Sequence, residues 1–108
     1  MVYYALIRTA DGIKWQARNG TRVRNEPGLK LYAEKRSKNC WIITEAQSGM
    51  NIAEGTLKKL AVQNLEDKLS YFGMEWFENA VSMALERYGE SPLYTDEPKL
   101  PVIPLPKE

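Results

Sequence analysis

The residues that first suggest chemistry are Gly49, Gly55 and Thr56, which lie in the segment CWIITEAQSGMNIAEGTLKKLA (residues 40–61). A phosphate-binding P-loop requires G-x-x-x-x-G-K-[ST], because backbone N–H groups cradle the phosphates while the lysine and a hydroxyl reach the terminal phosphate and Mg²⁺. Here five residues separate the glycines, and Thr56 follows Gly55 with no lysine between them. We therefore predict a joint between a sheet and a helix, with Gly49 at positive φ in a hairpin turn and Gly55 in the turn into the helix.

Groups suited to acid–base or nucleophilic catalysis are few in this chain. It contains no histidine, which removes the usual acid–base group near neutral pH and the commonest zinc ligand. Glu75 and Glu78, like Glu86 and Glu90, lie about one helical turn apart, but such pairs are typical of a solvated helix face. The single cysteine, Cys40, has no histidine to activate it and no second thiol for a disulfide or zinc site. We predict no enzymatic activity, no catalytic residue, no metal and no cofactor.

Basic residues in the first half of the chain form a candidate nucleic-acid site. Its residues are Arg18, Arg22, Arg24, Lys35, Arg36 and Lys38. Trp15, Tyr32 and Trp41 are interleaved with them, and cations with aromatic rings on a sheet can hold backbone phosphates and stack exposed bases. The same rings serve equally well in a core, and the net charge of +1 is below the usual basic footprint. Nucleic-acid binding is therefore an alternative hypothesis.

Charge is divided unevenly along the chain. Residues 1–50 hold nine Lys or Arg against four Asp or Glu, whereas residues 51–108 hold six against ten. This division predicts a basic sheet beside an acidic helical layer. A basic face of this kind attracts phosphates or an acidic partner.

The segment PKLPVIPLPKE is a candidate protein-binding tail. Pro98, Pro101 and Pro104 recur at intervals of three, which is the period of a polyproline II helix, and Val102 and Ile103 lie between them. A helix of this type can dock in an aromatic-lined groove of a partner. Two alternatives stay open, a loosely ordered terminus and a segment that packs on its own domain or on a second subunit.

Alternating apolar residues predict two β-hairpins in the first half of the chain. The first joins residues 3–8 to residues 13–18 through the turn signal at Ala10-Asp11-Gly12. The second joins LKLYAEK (residues 29–35) to WIITEA (residues 41–46), and MNIA after it is short enough for an edge strand.

The apolar spacing changes to that of a helix after Gly55. The first predicted stripe consists of Leu57, Leu60, Ala61, Leu65, Leu69 and Phe72. Thr56 is the expected N-cap of this helix, and Gly73 suits the left-handed position that ends it. A second helix is predicted from about Met74 to Tyr88. Its stripe consists of Phe77, Ala80, Val81, Ala84, Leu85 and Tyr88.

These elements predict an α+β fold, with a four- or five-stranded antiparallel sheet packed on one face by two C-terminal helices and followed by a proline-rich tail. With 108 residues, of which 44% are hydrophobic, the chain suits a single domain at residues 1–90 and a tail at residues 91–108. The first residues lack the apolar run of a secretory signal, and no window reaches the length of a membrane span. We expect a cytoplasmic protein.

Residues 41–61 also carry a local resemblance. Their order of Trp, alternating apolar residues, Thr-Glu, a Ser-Gly turn, a short strand, Gly and a Thr/Lys-rich helix start resembles a pattern W-x-[IV]-T-E-x-x-[ST]-G of small uncharacterised phage and prophage proteins. The resemblance implies a phage or mobile-element origin and an accessory role, and it transfers no catalytic residue. The leading expectation is a non-enzymatic accessory protein that binds a protein partner, with inhibition of host machinery as one role. Nucleic-acid binding and self-assembly as a structural component are the alternatives.

Overall fold

The computed structural model describes residues 1–23 and 30–105, which form two sheets and two helices. The elements in chain order are β1 (Val2–Thr9), β2 (Gly12–Asn19), β3 (Thr21–Val23), β4 (Leu31–Ser37), β5 (Cys40–Glu45), β6 (Met50–Gly55), α1 (Lys58–Phe72), α2 (Met74–Tyr88) and β7 (Val102–Ile103). The predicted α+β class, an antiparallel sheet with two consecutive helices packed on it, is confirmed. Both predicted hairpins are present, but they belong to different sheets.

The central sheet has the strand order β3-β4-β5-β6 and is antiparallel throughout. Alternation along β4 sends Leu31 and Ala33 to the face covered by the helices and Tyr32 to the opposite face. The helix-side core combines residues of the sheet and of both helices. Its buried members are Val23, Leu31, Ala33, Ile43, Ile52, Ala53, Ala61, Leu65 and Phe77.

Each helix fully buries only part of its predicted apolar stripe. Ala61 and Leu65 are buried in α1, and Phe77 and Ala84 are buried in α2. Other members of the first stripe remain exposed, namely Leu57, Leu60 and Phe72. Leu57 directly precedes α1 and Phe72 is its last residue, so both lie beyond the buried turns. Helical spacing alone therefore overestimates how much of the helix is buried.

The boundaries of α1 match the prediction at one end only. Thr56 is not the N-cap, because the helix begins one residue later, after Leu57 in extended conformation, and no side chain of the described residues caps it. Gly55 is required because the strand end passes close to α1, and not because of a positive φ. A Cβ there would lie 2.5 Å from the backbone nitrogen of Ala61. Gly73 ends the helix as predicted, with a φ of 85°, and its N–H donates to the Leu69 carbonyl.

The first hairpin packs on the other face of the central sheet. The ring of Tyr3 in β1 stacks on Tyr32 in β4, with centroids 5.1 Å apart. The chain passes from one sheet to the other at Gly20, where a Cβ would lie 2.7 Å from the Ala33 carbonyl oxygen. Only glycine fits at this crossing, and the hairpin that precedes it lies on the face of the central sheet and not at its edge.

The turn between β5 and β6, residues 46–49, joins the two sheets. Gly49 has the positive φ that was predicted, 72°, and its carbonyl accepts a 2.9 Å hydrogen bond from the Leu6 N–H of β1. The carbonyl of Gln47 accepts a bond of the same length from the Ser91 N–H at the start of the tail. This turn, which we call the β5–β6 turn, therefore holds the first hairpin and the tail to the central sheet.

The tail returns to the first hairpin. Val102 and Ile103 form β7, which pairs in parallel with β2 opposite Trp15 and Gln16. The backbone N–H of Trp15 also donates to the Pro101 carbonyl at 2.9 Å. The resulting sheet has the order β1-β2-β7, so β7 is an edge strand. Prolines beside an edge strand are compatible with a sheet, because the missing N–H faces no neighbour.

Candidate functional site

Three aromatic side chains are exposed where α1 meets α2. Tyr71 is 84% exposed, and Phe72 and Trp76 are each 48% exposed. Phe72 stacks on Trp76, and Tyr71 meets Phe72 edge to face, each pair with centroids 4.8 Å apart. We call these three residues the aromatic cluster.

The aromatic cluster is fixed to the core of the domain. Gly73 alone separates the two helices, so the last residues of α1 and the first of α2 are neighbours. Trp76 meets Phe77 edge to face at 4.8 Å, and Phe77 is only 2% exposed. Since Phe77 belongs to the helix-side core, the exposed cluster is connected through Trp76 to a packed support.

A pocket of about 360 Å³ lies at the same junction, lined by Glu66, Leu69, Ser70 and Met74. Leu69 and Met74 are half-buried and pack against the core, which makes an apolar floor. Glu66 and Ser70 are exposed and contribute a carboxylate and a hydroxyl. We call this the junction pocket.

The helix junction carries negative charge. Glu66, Asp67, Glu75 and Glu78 are all exposed, and none of them takes part in the ion pairs found within residues 1–23 and 30–105. The one basic residue between positions 66 and 78 is Lys68, whose ammonium donates to the Ile52 carbonyl at 2.9 Å. The field around the aromatic cluster therefore attracts cations.

The candidate residues of the tail occupy different environments. Val102 and Ile103 are engaged with β2 through β7, and Ile103 is half-buried. Pro101 and Pro104 are exposed, although their carbonyls accept hydrogen bonds from the Trp15 backbone and the Gln16 side chain. Pro98 is half-buried. A groove on a partner that captured this tail would compete with β2 for it.

Two of the candidate nucleic-acid residues are paired internally. The Nε atoms of Arg18 and Arg36 both donate to Oε1 of Glu34, the second at 3.2 Å. All three side chains are largely shielded from solvent. This pairing reduces the charge that the two arginines present to an external phosphate.

The other basic candidates do not share one face. Arg22 is opposite Tyr32 in the sheet register and therefore shares the hairpin side with it, whereas Lys35 is opposite Trp41, which packs on the helix side. Lys38 is exposed in the turn after β4. Arg24 lies outside the described residues.

Burial raises the pKa of the Tyr3 phenol, and the nearby Glu34 carboxylate adds to this effect. Burial likewise raises the pKa of Tyr94, with further contributions from Tyr32 and Glu45. A raised pKa in the folded state means that folding is more favourable when the phenol is neutral than when it is ionised. The stabilisation is complete below the pKa of an unfolded tyrosine, about 10, and is lost as pH rises toward the folded pKa.

We accordingly expect the free energy of unfolding to decrease above about pH 10, and to decrease less steeply in Tyr3→Phe than in the wild type. Urea titrations between pH 8 and pH 11 measure this difference. Tyr71→Phe, at an exposed ring, is the matched control. Equal slopes for wild type and Tyr3→Phe would contradict the assignment to Tyr3.

The part of the chain from 1 to 23 and from 30 to 105 contains no group of three or more potential metal ligands. Its helices are also too short or too polar to cross a membrane.

Sequence reasoning did not identify the aromatic cluster. Tyr71 and Trp76 fall outside both predicted apolar stripes, and Phe72 was assigned to the buried one. A usable signal was nevertheless present, because three aromatic residues lie within six positions around the glycine that ends α1.

Comparison of the chain with protein-family models, curated proteins and solved structures finds no match in any of the three.

Proposed function

We propose that this chain is a non-enzymatic accessory protein that acts by binding another protein through the helix junction. The observation that carries the proposal is the aromatic cluster of Tyr71, Phe72 and Trp76, exposed yet anchored to the core through Phe77. Tyrosine, tryptophan and phenylalanine are enriched in protein interfaces, and rigid aromatic anchors carry much of the binding energy. A pocket beside such anchors adds shape to the surface.

The expected partner is a protein segment with apolar anchors and basic flanking residues. The carboxylates of Glu66, Asp67, Glu75 and Glu78 surround the cluster in sequence, so complementary charge lies on Lys or Arg of the partner. A symmetric dimer through this surface would bring identical acidic patches together, which is unfavourable. Charge therefore argues for a different protein and against a second copy.

The proposed binding surface lies on the helices and not on the proline-rich tail. The tail is engaged with β2 in this structure, whereas the aromatic cluster has no covering segment within the described residues. A phage or mobile-element origin stays a prediction from the local resemblance of residues 41–61.

A photo-crosslinker tests the surface directly. With benzoylphenylalanine at position 71, we expect a discrete adduct with one protein in the native cell, which mass spectrometry identifies. The partner is then purified and its affinity measured by calorimetry. Trp76→Ala is expected to weaken binding by about tenfold or more, the loss that is usual for a tryptophan anchor.

Met83→Ala is the control, because Met83 is a 70% exposed apolar residue of α2 outside the cluster. Equal effects of Trp76→Ala and Met83→Ala would overturn the proposal. An adduct of the chain with itself, with dimerisation in sedimentation, would favour self-assembly instead. Binding of oligonucleotides that weakens steeply with salt, and is unaffected by Trp76→Ala, would favour the nucleic-acid alternative.

A further inference from the structure

We infer that the junction pocket receives a cationic side chain, arginine or lysine, from the protein partner. The inference rests on the proposed function and specifies what its pocket recognises. Arginine and lysine both combine a long aliphatic stem with a charged head, and the pocket offers a complementary surface to each part.

The floor of the pocket suits the stem. Leu69 and Met74 present apolar surface while their other sides pack on the helix-side core, so the floor is supported from behind. The thioether of methionine is polarizable and its side chain adapts to irregular shapes. A chain of methylene groups therefore finds apolar contact along this floor.

The rim of the pocket suits the head. Glu66 and Ser70 are four residues apart on α1, which places both on one side of the helix. The Glu66 carboxylate takes part in none of the ion pairs described for the chain, so its charge is available. An ammonium or guanidinium donates to the carboxylate and to the hydroxyl oxygen at once.

Other occupants fit less well. A purely apolar anchor would cover the Glu66 carboxylate without giving it a partner, which is costly. An anionic anchor meets Glu66 in the pocket and Asp67, Glu75 and Glu78 close by in sequence, while the nearby Lys68 ammonium is bonded to the Ile52 carbonyl. Charge and shape together select a cation with an apolar stem.

The test uses small probes and the full chain. N-acetyl amides of arginine, lysine, norleucine and glutamate are titrated while the amide signals of residues 66–74 are followed by NMR. We expect arginine or lysine to bind with a Kd of about 1–10 mM, as for ligands of this size, and at least about fivefold more tightly than norleucine. Glu66→Gln should abolish this preference.

Glu86→Gln is the matched control, since Glu86 is an exposed glutamate of α2 outside the pocket. It should leave the arginine and lysine affinities unchanged, and raising the salt concentration should weaken them in the wild type. Norleucine binding as tightly as the cations overturns the inference, and so does the absence of shifts in residues 66–74.

Failure of this inference is distinguishable from failure of the proposed function. If Trp76→Ala weakens binding of the purified partner while Glu66→Gln does not, the docking surface is supported and the cationic anchor is contradicted. If the arginine or lysine probe binds more tightly than norleucine but Trp76→Ala does not change the affinity for any partner, the proposed function is contradicted.

Discussion

Gly49→Ala is expected to destabilise the protein by about 2–5 kcal/mol, which combines the strain of a left-handed residue with the cost of overpacking. Gly49 has a φ of 72°, and a Cβ built there would lie under 3.0 Å from Cζ3 of Trp15 and 3.0 Å from the Leu6 nitrogen. Neither neighbour has room to retreat, because Trp15 is fully buried and Leu6 donates its N–H to Gly49 itself. Chemical denaturation measures the loss.

Gly12→Ala separates strain from crowding. Gly12 also has a positive φ, 113°, but apart from the glycine and its two chain neighbours no atom of the described residues lies within 4 Å of a Cβ built there. We expect this variant to lose only about 1–2 kcal/mol, the cost of the backbone conformation. Equal losses at the two glycines would show that contact with Trp15 contributes nothing.

A double-mutant cycle locates the contact. Trp15→Leu alone destabilises the protein by removing a buried ring, but in combination with Gly49→Ala it should relieve part of the crowding. We expect a favourable coupling of about 1 kcal/mol or more between the two substitutions. Strict additivity would argue that the strain of the backbone is the whole effect.

Glu45→Ala is expected to cost about 2–4 kcal/mol, because it leaves two backbone donors of the β5–β6 turn without their acceptor. Glu45 is 2% exposed, and its carboxylate accepts the Ser48 N–H at 2.7 Å and the Gln47 N–H at 3.0 Å. The hydrogen bond to Ser48 is buried, so water cannot replace it without opening the turn. Denaturant titration measures the free energy of unfolding.

Hydrogen exchange gives the second measurement for this prediction. The amide of Ser48 should exchange faster in Glu45→Ala, and so should the amide of Ser91, which bonds to Gln47 of the same turn. Glu54→Ala, at an exposed glutamate of β6, should leave both rates unchanged. Unaltered exchange at Ser48 in Glu45→Ala would contradict the role of the carboxylate.

Local patterns predicted the elements of this fold well. The hairpin of β4 and β5, the positive φ of Gly49 and the end of α1 at Gly73 all depend on neighbours in sequence, and alternation or helical spacing indicates them directly. The N-cap of α1 was harder to predict. Thr56 has the side chain of a typical N-cap, but the helical backbone begins only after Leu57.

Features that depend on distant contacts were not predictable from one sequence. Trp15 and Trp76 are the same residue type, and only the packing of the whole chain makes one fully buried and the other half-exposed. Similarly, Arg18 looks like a free cation in the sequence until the packing of the two sheets brings it to Glu34, two residues from Arg36 on β4. The aromatic cluster and the junction pocket belong to this second class.

The pairing of β7 with β2 has a consequence for synthesis of the chain. The edge of β2 near Trp15 is made well before the residues that cover it, Val102 and Ile103. A nascent chain therefore exposes an unpaired strand edge until those residues have been made, which favours chaperone binding and exchange of tails between neighbouring chains. Overproduction from crowded polysomes is the condition under which such swapped dimers should accumulate.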